Sequence, residues 1–143
     1  MIYYVSGNIF DSPAQTLVNP VNTVGVMGKG LALEFKKRYP RMFEEYKKQC
    51  RDGWLYVGSF MLWRAKDHFV LNFPTKKHWK DPSSLIYVEA GLLSFANEYE
   101  SYGISSIAFP RLGCGNGGLD WKTVKPVMEL YLQELPIDVY IYI

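Results

Sequence analysis

Two glycine-rich turns, one toward each end of the chain, carry most of the residues able to do chemistry. The first runs Asn19-Pro20-Val21-Asn22-Thr23-Val24-Gly25-Val26-Met27-Gly28-Lys29-Gly30, and the second Pro110-Arg111-Leu112-Gly113-Cys114-Gly115-Asn116-Gly117-Gly118-Leu119-Asp120-Trp121. Each follows a strand-like run and precedes a helix-like run, a context that leaves backbone N–H groups free at a helix N-terminus, where phosphate is bound. Two such turns on one small domain would hold both phosphates of a diphosphate. Four glycines within Gly113–Gly118 exceed what one turn needs and favour close backbone approach to a ligand. Asn19 and Asn22 lie either side of Pro20; an amide both donates and accepts, which suits a ribose diol as well as it suits a turn. Lys76 follows the apolar run Phe69–Thr75. A lysine at a strand end in a half-buried cleft can act as nucleophile or base, whereas one beside another lysine is more often solvated. Asp120 is a second candidate acid, with capping of the last helix as its other reading.

Nearby alternatives fail on spacing. Gly113, Gly115 and Gly118 satisfy G-x-G-x-x-G, but only one helix and one strand follow, and Asp138 falls inside that strand, so a dinucleotide-binding unit is disfavoured. Gly25-Val26-Met27-Gly28-Lys29-Gly30 has two residues between its first two glycines where a P-loop has four, and no hydroxyl follows Lys29, which argues against nucleoside-triphosphate hydrolysis. Cys50, Cys114, His68 and His78 are the only cysteines and histidines; neither a disulfide framework nor a zinc site is expected, and no cofactor is implied. A formal net charge of +2 selects no partner. Of the basic clusters, Lys36-Lys37-Arg38 and Lys47-Lys48 read as solvated helix faces. Lys76-Lys77-His78-Trp79-Lys80 interleaves charge with an aromatic ring and hints at phosphate or nucleic-acid contact.

The elements that would position these residues follow from pattern. At 143 residues, 48% hydrophobic and 21% charged, the chain is expected to form one domain over residues 1–143. No apolar window is long enough to span a membrane, Met1 runs straight into a strand pattern without a leader-like start, and the cysteine usage fits a reducing cytoplasm. Strands are predicted at 2–5, 16–19, 55–63, 68–73, 104–109 and 137–143, with the third and fourth paired as a hairpin. Helices are predicted at 31–39, 41–51, 85–99 (with Ser83 as cap) and from Asp120 onward, where Pro126 demands a late start or a bend. The order β-β-α-α-β-β-α-β-α-β implies an α/β fold, a three-layer α/β/α sandwich on a mixed, mostly parallel sheet. Both glycine turns and the basic stretch then lie at carboxyl ends of strands, where such sheets bind ligands.

Taken together, these segments resemble the macrodomain family, and the resemblance covers essentially the whole chain. Gly7-Asn8-Ile9 is similar to the early Gly-Asp-Ile motif, Val18–Asn22 to Val-Asn-Ala-Ala-Asn, and Gly113–Gly118 to the phosphate loop. Val24–Ala32, Asn72–Trp79 and Gly117–Trp121 further resemble the branch that holds terminal ADP-ribose protein glycohydrolases and DNA ADP-ribosyl glycohydrolase antitoxins. The resemblance implies an ADP-ribose-binding hydrolase that removes ADP-ribose from a macromolecule. It implies Lys76 as catalytic and Asn22 as the holder of the distal ribose. Asn8 and Ile9 would lie by the adenine. Asn19, Gly28, Lys29, Gly30, Gly113, Cys114, Gly115, Asn116, Gly117 and Gly118 would complete the ligand contacts. Two departures matter: Asn8 replaces the usual aspartate, and Gly117 stands where the protein-directed enzyme has one. The second tilts the expected substrate toward thymidine-linked ADP-ribose on DNA, single-stranded or duplex, with a cognate ADP-ribosyltransferase toxin as partner. A non-catalytic ADP-ribose reader, a hydrolase of protein-linked ADP-ribose and a hydrolase of O-acetyl-ADP-ribose are the alternatives.

Overall fold

The computed structural model describes residues 1–143. Six strands form one sheet: β1 (Ile2–Val5), β2 (Thr16–Val21), β3 (Met61–Arg64), β4 (Phe69–Pro74), β5 (Ser106–Phe109) and β6 (Asp138–Tyr142), in spatial order β1-β6-β5-β2-β4-β3. Every pairing is parallel except β3 with β4. Four helices cover the sheet: α1 (Gly30–Arg38), α2 (Pro40–Arg51), α3 (Leu85–Glu98) and α4 (Trp121–Leu132). Side chains alternate strictly across the sheet, as a strand's period of two requires. Leu71, Phe73, Ile107, Phe109, Val139 and Ile141 face α3 and α4, where they meet Val88, Leu92, Phe95, Val124, Met128 and Leu132. Leu17, Val21, Val70 and Ala108 face α1 and α2, against Phe35, Met42, Phe43 and Tyr46. Burial on both faces explains why the central strands read as continuous apolar runs. The expected three-layer, mostly parallel α/β/α architecture is what forms.

Local corrections have identifiable causes. The first hairpin strand is short, Met61–Arg64; residues 54–60 form turns instead, in which Ser59 and Tyr56 share three hydrogen bonds of 2.7, 2.9 and 3.0 Å. Leu55 is buried while Trp54 and Tyr56 are exposed, so an apolar β-rich composition there reflects anchoring and surface aromatics rather than a ladder. Pro40 does not merely stop α1. It is the first residue of α2, where its missing N–H is harmless and its fixed φ suits the helix. Ser84, not Ser83, precedes α3, and it forms no side-chain cap; the Ser83 hydroxyl is used elsewhere. α4 starts at Trp121 despite Pro126. The proline lies on the exposed face, where water can satisfy the carbonyl it leaves free.

Candidate active site

The carboxyl ends of β2, β4, β5 and β6 fall on one side of the sheet, and the loops leaving them enclose a cleft of about 690 Å³. Pro20, Asn22, Val26, Gly28 and Lys29 come from the β2 loop, Thr75, Lys76, Trp79 and Ser83 from the β4 loop, and Arg111 and Gly113–Gly117 from the β5 loop. Leu31 and Ala32 of α1 form part of the wall, and Gly7, Tyr142 and Ile143 complete it. No Asp or Glu side chain lines it.

The first loop is built around Asn22. Its Oδ1 accepts from Val24 N at 3.0 Å and Val26 N at 3.4 Å, and its Nδ2 donates to Val26 O at 2.7 Å. Tyr46, fully buried on α2, donates to the Oδ1 at 2.8 Å and lies 2.9 Å from the Asn22 carbonyl. Burial first, then the neighbouring Cys50, raise the Tyr46 hydroxyl well above the ordinary phenol value, so it stays a donor. An amide carries two N–H bonds, so one Nδ2–H of Asn22 remains for a ligand. Beyond this knot, the N–H groups from Gly28 to Ala32 find no acceptor in the protein. Lys29, at the N-cap, is extended with no side-chain cap, and the first turn of α1 contains no acid. Unfilled donors and the positive end of the helix dipole thus open on the cleft, the arrangement that receives an anion.

The second loop folds into one tight turn, with Gly117 N donating to the Cys114 carbonyl and Gly118 N to the Gly115 carbonyl. The N–H groups of Gly115 and Asn116 are left without acceptors. The two loops meet across the cleft: a Cβ on Gly30 would lie 2.7 Å from Asn116 Nδ2. Gly30 also has φ +61°, a conformation glycine adopts without the strain a side chain incurs. Cys114 faces the cleft, but burial holds its thiol above the ordinary value, with Arg111 pulling down and Asp120 pushing up less strongly. Burial thus disfavours the thiolate form that a nucleophile needs.

The third loop carries Lys76. The lysine is half-buried at the cleft wall, and its Nζ donates to the Trp79 carbonyl at 3.4 Å. Its chain neighbour Thr75 accepts from Ser83 Oγ at 3.0 Å, Ser84 N donates to the Thr75 carbonyl at 3.0 Å, and Ser83 N donates to the Gly117 carbonyl at 2.8 Å. Ser83 thereby ties the Lys76 loop to the second glycine loop. It also fills the space beside Gly117, where a Cβ would come within 2.9 Å of Ser83 Cβ and closer still to its Oγ. A side chain at position 117 would therefore collide with Ser83.

Of the residues nominated from the sequence, Asn22, Gly28, Lys29, Lys76, Gly113, Cys114, Gly115, Asn116 and Gly117 lie at the cleft wall. Other nominated residues lie off it. Asn19 is fully buried beneath the first loop, its Nδ2 donating to Asn72 Oδ1 at 3.0 Å, with Met27 Sδ at 3.7 Å. Asn8 Oδ1 accepts from Phe10 N at 3.0 Å and caps the short turn Ile9–Asp11, while Ile9 is buried; their neighbour Gly7 is the one that reaches the cleft. Gly118 closes the tight turn at φ +82°. Asp120 caps α4, its Oδ1 accepting from Lys122 N at 3.0 Å, and it does not line the cleft. Sequence reasoning missed Tyr46, Thr75, Ser83 and Tyr142. For Tyr46 a signal existed: it shares the apolar face of α2 with Met42 and Phe43, and a buried tyrosine hydroxyl needs a partner.

A mostly parallel sheet in this strand order, with two amide-rich loops converging on one cleft at the strands' carboxyl ends, defines an α/β/α class with its ligand site at that end. Within it the chain belongs to the macrodomain family: the family model described as Macro domain matches residues 18–128. It is 45% identical over 147 residues to the DNA ADP-ribosyl glycohydrolase of Mycobacterium tuberculosis, covering 99% of this chain and 42% of that protein. The structure of the macrodomain of Thermus aquaticus DarG superposes with a TM-score of 0.94 at 42% identity, covering 100% of this chain and 98% of that one. The structure described as Thermosipho africanus DarTG in complex with ADP-ribose gives a TM-score of 0.92 at 41% identity, covering 99% of this chain and 41% of that one. This chain thus spans less than half the length of that mycobacterial relative.

Proposed function

We propose that this macrodomain binds ADP-ribose in the cleft and hydrolyses its bond to a modified DNA base. The observation that carries the reading is Lys76, held at the wall of a cleft that offers two sets of free amides and no acidic side chain. The N–H groups of Gly28–Ala32 and of Gly115 and Asn116 would take the diphosphate, and the remaining Asn22 Nδ2–H would take a ribose hydroxyl. Fixing the diphosphate and ribose converts binding energy into orientation at C1″. In the reaction the C1″–N bond breaks with its electron pair leaving on the base. A water oxygen bonds to C1″, and the base takes up a proton. Charge develops on the departing base, and the Lys76 Nζ donor is the group placed to stabilise or protonate it. The names of the relatives and the space that Ser83 closes beside Gly117 both support a DNA conjugate over a protein one. The enzyme class that must supply this substrate is an ADP-ribosyltransferase acting on DNA, and such an enzyme is the natural partner.

The test is release of ADP-ribose from a thymidine-modified oligonucleotide, a modified peptide and O-acetyl-ADP-ribose in parallel. Wild type is expected to turn over the oligonucleotide best. Lys76→Ala should lose about 10²-fold or more in rate while its affinity for free ADP-ribose stays within a few-fold. Wild-type turnover by Lys76→Ala would sink the catalytic assignment. ADP-ribose binding without any release by wild type would leave a reader module.

A further inference from the structure

Beside the cleft, separated from it only by the loop between β2 and α1, lies a second groove of about 640 Å³. Thr23, Val24 and Gly25 form one wall; Lys47, Lys48 and Arg51 of α2 form the other. The two depressions share that loop, since Asn22, Val26 and Gly28 line the first and Thr23–Gly25 the second. The basic stretch after β4 is stitched to the same loop: Thr23 N and Oγ1 both donate to the Lys77 carbonyl, at 2.9 and 3.0 Å. A surface path therefore runs from Trp79 at the cleft, across Lys77 and the Thr23–Gly25 loop, to Lys47, Lys48 and Arg51. It continues to Trp54, whose N–H donates to Gln49 O near the end of α2 at 2.9 Å.

The composition of this path is distinctive. It carries five cations, Lys47, Lys48, Arg51, Lys76 and Lys80, against Glu44, Asp52 and Asp81, a local excess of two, while the Lys77 ammonium lies 5.8 Å from the Tyr87 ring of α3. Glu44 engages Lys47 at 3.2 Å and Asp52 engages Arg51 at 3.2 Å, while Lys48 has no acidic partner within 4.0 Å. Aromatic surface is exposed at both ends, 44% for Trp79 and 74% for Trp54. Trp79 is stiffened by His78, ring centroids 5.3 Å apart, and by Lys80 Nζ, 5.1 Å from its ring. Cations along a groove with exposed rings at its ends suit single-stranded nucleic acid, because phosphates meet the charges and bases stack on the rings.

We propose that this path is the seat of the DNA strand that carries the modified base: Trp79 stacks a base next to Lys76, and the α2 groove takes the flanking phosphates. The inference rests on the DNA reading above. It is tested by comparing a modified single-stranded oligonucleotide with a modified thymidine mononucleotide across a salt series. Wild type is expected to favour the oligonucleotide by about tenfold in kcat/KM, mainly through KM, and to lose that preference as salt rises. The double variant Lys48→Ala/Arg51→Ala should abolish most of the preference and flatten the log–log salt slope by roughly 0.7 for each phosphate that is no longer neutralised. Its turnover of the mononucleotide and its affinity for free ADP-ribose should match wild type. Trp79→Ala should weaken binding of the oligonucleotide and Trp79→Phe restore it. If wild type treats both conjugates alike, or the double variant keeps the full preference and salt slope, the strand path is wrong while the hydrolase reading survives. If wild type binds ADP-ribose but acts on no DNA conjugate, the DNA reading itself falls and takes the path with it.

Discussion

Asn22 is where loop folding and ligand binding draw on the same amide. Three N–H or O–H donors converge on its Oδ1, and one of its two Nδ2 hydrogens closes the turn at Val26. The Tyr46 hydroxyl makes this arrangement rigid from below. Replacing Tyr46 with Phe leaves the Asn22 carbonyl and part of Oδ1 unpaired next to the core, a loss of about 1–3 kcal/mol. The loop should loosen with it. Chemical unfolding of Tyr46→Phe is expected to show that destabilisation, and calorimetric titration a roughly tenfold weaker ADP-ribose affinity, which corresponds to about 1.4 kcal/mol; unchanged affinity in a destabilised variant would show that Tyr46 serves folding alone. The same residue shows how far the sequence reaches at this scale. Asn22, Lys76 and the glycine loop at 113–117 could be nominated because amide, amine and glycine chemistry is local. Asn19 could not be separated from Asn22, since only the pairing of Asn19 with Asn72 on the neighbouring strand turns one amide into the core and leaves the other at the cleft. Ser83 reads from the sequence only as a helix cap, because its role beside Gly117 depends on a contact between segments far apart in the chain.

The elements that carry the site were legible from periodicity and punctuation. Buried parallel strands reveal themselves as apolar runs, and Asp120 marks a helix start, whereas Pro40 reads as a stop and in fact begins α2. Less visible was the turn structure of residues 54–60, where apolar and aromatic residues serve an anchor and a surface instead of a ladder. α4 illustrates how an element's own needs can absorb a residue that chemistry might claim. Its first turn is capped by Asp120, whose carboxylate accepts from Lys122 N and sits at the positive end of the helix dipole. Asp120→Ala is expected to cost about 1 kcal/mol of stability, read by thermal or urea unfolding. Turnover on modified oligonucleotide at a temperature where both proteins are folded should stay within about twofold of wild type, as expected of a cap outside the cleft. A much larger rate loss without a matching stability loss would return Asp120 to the chemistry.

Across the whole molecule, two helical layers grip one sheet, and the joint between α1 and α2 is tied to the sheet's edge. Tyr39, between the two helices, donates its hydroxyl to Asp67 Oδ2 at 2.8 Å in the β3–β4 turn. His68 of that turn lies 3.7 Å from the same carboxylate through Nδ1, and its Nε2 lies 3.0 Å from the Ser12 carbonyl. Burial alone would lift the Asp67 carboxyl, but the Tyr39 hydroxyl, the backbone N–H groups of His68 and Asp67, and the charge of His68 together hold it below the ordinary carboxylate value. A carboxyl depressed in the folded state contributes stability fully above its unfolded value of about 3.9 and loses that contribution as pH falls through its lower folded value. The Asp67 side chain is 65% exposed, so the contribution is modest and screened by salt. Tyr39→Phe removes the strongest of the depressing partners. Unfolding midpoints of wild type and Tyr39→Phe, compared near neutral pH and in steps from about pH 5 to about pH 2, should differ most at the upper end and converge below about pH 4. A gap that stayed constant through that window would mean that the Tyr39 hydroxyl stabilises the joint independently of the charge on Asp67.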